Sequence, residues 1–95
     1  MATIECQPDL DIAAAATLRQ QLLDALQTQQ PLEIDGQAVR KIHTAVLQLF
    51  LSLSIEAQAR ATPVRWRNPS PALLEGARLL GLADRLGLEP SAGSR

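Results

Sequence analysis

The side chains in this 95-residue sequence that could do chemistry are few: one histidine, His43, one cysteine, Cys6, one lysine, Lys41, and no tyrosine. Most metal, nucleophile and cofactor constellations cannot be assembled from such a set within one chain, so no enzyme, no metal and no cofactor is expected. Nothing close to Cys6 in sequence would activate a thiolate, and it reads as a small buried hydrophobe on a strand. Asp35-Gly36 ends a short apolar-acidic alternation but has neither the Gly-rich run nor the Lys-Ser/Thr of a phosphate loop. His43 stands directly before Thr44. From the residues alone, the histidine reads as a surface-loop residue and the threonine as the N-cap hydroxyl of the helix that follows. A small nucleotide-binding site or enzyme built from Asp35, His43 and Thr44 is conceivable, although no second base accompanies them. Arg40 and Lys41 with Arg65 and Arg67 form either a solvated rim or a dock for an acidic partner.

Composition narrows the field further. Nine Lys+Arg against ten Asp+Glu give a formal charge of −1, too even to favour a nucleic acid or an anionic membrane as partner. Apolar residues make up 46% and aromatics 2%, Phe50 and Trp66, so the core must be built from Leu, Ala, Ile and Val. A single cysteine forms no internal disulfide, and the sequence has neither a signal-peptide pattern nor a long apolar run. A single domain over residues 1–88, a frayed tail over 89–95 and a cytoplasmic location are the expectations.

The elements that must position these residues follow from periodicity and punctuation. Thr3 to Cys6 reads as an edge strand ended by Pro8, and Asp11 caps a helix from Ile12 to about Gln29. Leu32 to Gly36 reads as a second strand, Val64 to Arg67 as a third with its arginines on one face. Ser70-Pro71 opens a helix that Gly81 closes, and Ala83 to Leu88 reads as a further helical turn. The segment from Ala45 to Ile55 alternates Leu and Ile with Gln, Phe and Ser at period two, which fits a strand. Unbroken continuation to Ala61 and the helix-forming character of Leu favour a helix from Thr44 to Ala61. The fold class is α/β: a small mixed sheet with parallel central strands and helices mainly on one face.

The strings Leu32-Glu33-Ile34-Asp35-Gly36, Ile42-His43-Thr44-Ala45-Val46-Leu47-Gln48-Leu49, Arg67-Asn68-Pro69-Ser70-Pro71-Ala72-Leu73 and Leu79-Leu80-Gly81-Leu82 resemble the STAS domain family over about Ile4 to Leu88. That family contains the bacterial anti-sigma-factor antagonists and the STAS subunit of the phospholipid-transport ABC complex. The resemblance implies a STAS-like sandwich and a non-catalytic protein-interaction module. Its most specific motif is Asp, Ser or Thr, a small residue, then Gly, with the hydroxyl phosphorylated in the antagonists by a partner kinase that is itself the anti-sigma factor. Thr44 and Ala45 match that motif, while His43 and Val46 replace its Asp and Gly. The implied role is an antagonist-like regulator with a degenerate phosphoswitch at Thr44, docking through Asp35, Gly36, His43, Thr44, Val46 and Leu47. The alternative within the family is a structural subunit bracing the ATPase of the lipid-transport complex. The partner that the resemblance implies is an anti-sigma factor of kinase type or a transporter ATPase.

Overall fold

A computed structural model describes residues 2–88. The order is β1 (Ala2–Glu5), β2 (Asp9–Leu10), α1 (Ile12–Gln27), β3 (Leu32–Asp35), β4 (Lys41–Ile42), α2 (Thr44–Ala59), β5 (Val64–Arg67) and α3 (Pro71–Leu79). The expected frayed tail lies outside the described residues. The α/β architecture and the parallel central strands are as expected, but the strands form two small sheets. One has the order β1-β3-β5, the other pairs β2 with β4, and every pairing among the described residues is parallel.

Alternation along the strands sets the two faces of the larger sheet. The register aligns Ile4, Ile34 and Trp66 in one row and Thr3, Glu33 and Arg65 in the next. The first row joins the core with Leu32 and the helix residues Leu18, Leu22, Leu26, Phe50 and Leu53, while the second faces away from it. Phe50 is completely buried and meets Trp66 edge to face, with ring centroids 4.9 Å apart. The indole N–H of Trp66 donates to the carbonyl of Leu86 at 2.9 Å, tying the Ala83 to Leu88 segment to β5. That segment forms hydrogen-bonded turns, with Ala83 and Leu86 buried, rather than a regular helix.

Local chemistry explains the helix limits. Asp11 accepts the Ala14 N–H at 2.9 Å and Ser70 accepts the Leu73 N–H at 3.1 Å, so two of the three helices begin on side-chain caps read from the sequence. At the end of α3, Gly81 has φ of 71°, and the N–H groups of Gly81 and Leu82 donate to Arg78 and Ala77. This is the Schellman arrangement, in which a left-handed residue lets the chain reverse and satisfies the last carbonyls. Alpha2 ends the same way, with the N–H groups of Ala61 and Thr62 donating to Gln58 and Ala57, but its left-handed residue is Ala61 at φ 55°. Among the described residues, no helix is long and apolar enough to cross a membrane.

Candidate functional site

The carboxyl ends of β3 and β5 are joined by Asp35 and Gly36. One carboxylate oxygen of Asp35 accepts the Gln37 N–H at 2.9 Å and the other accepts from Arg67 Nη2 at 3.4 Å, leaving the residue 9% exposed. The Gly36 N–H donates to the Arg67 carbonyl and its own carbonyl accepts the Ser70 N–H, each at 3.1 Å. A Cβ on Gly36 would lie 2.7 Å from Cδ2 of the buried Leu73, so any larger residue in this turn would have to push that side chain aside in the core. Asp35 and Gly36, expected on the docking surface, are therefore buried in a strap that holds two strand ends together.

His43, not Thr44, is the N-cap of α2. Its φ and ψ are −78° and 147°, outside the helical region, and its Nδ1 accepts the Ala45 N–H at 3.0 Å. Its carbonyl accepts the Val46 N–H at 2.9 Å, and its own N–H donates to the Leu10 carbonyl at 2.8 Å, which fixes the cap against β2. Thr44 becomes the first helical residue, exposed, with a hydroxyl that bonds nothing among the described residues. An imidazole reaches the second amide of the helix where a neighbouring hydroxyl was expected to serve, and this displaces the cap by one position.

Val46 and Leu47 also depart from expectation. Both point inward, 0% and 2% exposed, so neither side chain can meet a partner, and Val46 adds no bulk to the outer surface. What α2 presents outward is Thr44, Ala45, Gln48, Ser52, Ile55, Glu56 and Ala59. Gln48, Ser52, Ile55 and Ala59 were not singled out from the sequence. A helical wheel drawn opposite Val46, Phe50, Leu53 and Ala57 finds them, once the helix is accepted over the strand-like alternation.

The remaining candidates do not converge. Asp35 lines a cavity with Glu5, Cys6, Gln37 and Ala38, whereas His43 lines another with Asp9, Leu10, Asp11, Lys41 and Ile42. The two cavities have no lining residue in common. Among the described residues, no group of three His, Cys, Asp or Glu side chains could hold a metal ion. Burial first, and then the charge of Asp35, pushes the Cys6 thiol up to about 11, which keeps it protonated and unreactive. Two of the four basic side chains of the expected patch are ion-paired. Arg40 reaches both carboxylate oxygens of Asp9 at 2.8 and 3.2 Å and holds that carboxyl below its ordinary value, while Arg67 bridges Glu33 and Asp35.

A family model described as "Mlab, STAS domain" matches residues 2–90. A search of curated proteins returns no match. The family's members are generally non-catalytic and act through protein contacts. With the strand-helix order, the parallel pairing and the capped helix after β4 all in agreement, this match over nearly the whole sequence shows that the chain belongs to the STAS domain family.

Proposed function

We propose that this chain is a non-catalytic protein-docking module whose interface is the outward face of α2 together with His43 at its head, and that its complex is a lasting one. The observation that carries the reading is the chemistry of that face. Thr44, Ala45, Gln48, Ser52, Ile55 and Ala59 are exposed without a charge among them, and Ile55 keeps 54% of its surface open. Covering such a face removes apolar area from water without desolvating ions, the pattern found at the centres of protein interfaces. Glu56, at its margin, is already paired with Arg60 at 2.9 Å.

The first turn of α2 favours a permanent contact over a phosphoswitch. A phosphate on Thr44 would bring about −1.5 to −2 charge and draw on the unpaired amides of the helix start. His43 already engages the amides of Ala45 and Val46 through its ring and its carbonyl. A structural subunit bracing a transporter ATPase fits these engaged donors better than a reversible antagonist of an anti-sigma factor. The antagonist reading keeps one supporting observation, the exposed and unbonded hydroxyl of Thr44.

The test compares variants of the tagged full chain recovered from native lysate. Ile55→Glu and Ser52→Arg are expected to lose the bound partner at least tenfold while circular dichroism stays unchanged, because each buries an unpaired charge in the contact. Thr44→Ala is expected to retain the partner, and intact mass of cell-derived protein is expected to show no added phosphate. Full recovery of the partner by both charge variants would refute the α2 interface. Loss of the partner in Thr44→Glu together with a phosphorylated wild-type chain would establish the antagonist role instead.

A further inference from the structure

The cap on α2 works in only one protonation state of its residue. Nδ1 of His43 accepts the Ala45 N–H at 3.0 Å, so that nitrogen must carry a lone pair and the ring proton must sit on Nε2. The backbone of His43 is anchored on both sides, to Leu10 through its N–H and to Val46 through its carbonyl, so the ring is held over the helix start. A proton added to Nδ1 would set one donor against another. It would also place a positive charge at the positive end of the helix dipole, and the two effects have the same sign.

Asp9, Asp11 and Lys41 line the same cavity as the ring, and each element packed there carries charged residues. From β2 comes Asp9, already bonded through both oxygens to Arg40, and from the head of α1 comes Asp11, already bonded to the Ala14 N–H. Beta4 carries Lys41, and α3, whose Gly76 packs against Ile42 of β4, carries Glu75 and Arg78. Three acids, Asp9, Asp11 and Glu75, and three bases, Arg40, Lys41 and Arg78, stand on or beside these elements. The other two helix starts use a carboxylate and a hydroxyl, neither of which changes state where an imidazole does.

We propose that His43 is a proton-operated cap: neutral, it orders the first turn of α2; protonated, it releases that turn and loosens the Thr44–Ala45 end of the docking face. The inference rests on the reading of α2 as the docking face only for its consequence to a partner. The cap itself is tested without one.

The experiment is nitrogen-resolved NMR of the isolated full chain between pH 8 and pH 5, comparing wild type with His43→Asn, since asparagine caps without titrating. At pH 8 the ring is expected to carry its proton on Nε2. Across the titration of the ring, the protection factor of the Ala45 amide is expected to fall about fivefold, the size of one lost cap, with its shift following the same midpoint. In His43→Asn both readouts are expected to stay flat. A ring protonated on Nδ1 at pH 8, unchanged Ala45 protection through the titration, or an equal fall in His43→Asn each overturns the proposal. None of these results bears on the α2 charge variants, whose failure would count against the docking face alone.

Discussion

Asp35 is a carboxylate at the carboxyl end of a central parallel strand, where folds of this kind usually place their chemistry. Both of its oxygens are engaged, one by the Gln37 amide and one by Arg67. With one donor on each oxygen, the group organises a turn. Cys6, across the same cavity, is silenced differently, by burial and by the Asp35 charge. Its folded value of about 11 lies above the 9.0 of the free thiol, so its contribution to stability is complete below pH 9. Above that the unfolded thiol ionises first, and the contribution is lost as pH rises from 9 through about 11. Urea midpoints are therefore expected to fall more between pH 8 and pH 10.5 in the wild type than in Cys6→Ala. Equal pH slopes in the two proteins would contradict the buried, neutral thiol.

Alpha2 is the element on which sequence and structure are hardest to match. Its Leu and Ile at alternate positions imitate a strand, and the helix emerges because Val46, Phe50, Leu53 and Ala57 share one side that reaches the core. A helix apolar around much of its circumference leaves its own orientation open in the sequence, and Val46 and Leu47, for which the resemblance implies a docking role, are buried. At its far end Ala61 occupies a left-handed position usually given to glycine. Left-handed backbone costs a residue with a Cβ roughly 1–2 kcal/mol, against which glycine loses more chain entropy on folding. Ala61→Gly is expected to stabilise the protein by about 0.5–1 kcal/mol. Thermal unfolding checks this, and a lowered melting temperature would show that the cap geometry is not strained.

At the scale of the whole molecule, the aromatic poverty of the sequence concentrates packing on one contact. Phe50 and Trp66 lie edge to face between α2 and β5, and the Trp66 indole ties down the segment after α3. Truncating a buried phenylalanine costs about 3–5 kcal/mol, and a chain of this length has roughly 5–14 kcal/mol in total. Phe50→Ala is expected to lower the urea midpoint by about a fifth or more and to expose Trp66 to solvent, as its fluorescence would report. A loss below about 1 kcal/mol would mean that the leucine-rich remainder of the core carries the fold without this pair.

The sequence by itself determined the α/β class, the three four-residue strands, the two helices with Asp and Ser caps and the family, because each rests on local periodicity, capping chemistry or motif strings within one segment. It also showed how little catalytic material the chain contains. Only the tertiary structure decided which members of the Asp35 to Leu47 stretch reach the surface. That outcome depends on long-range contacts: the Leu10 carbonyl that fixes His43, the Arg67 and Ser70 backbone groups that bind Gly36, and the core that draws Val46 inward. The two-residue pairing of β2 with β4 was hidden for the same reason. Two residues have no period, and their partner lies thirty-two positions away along the chain.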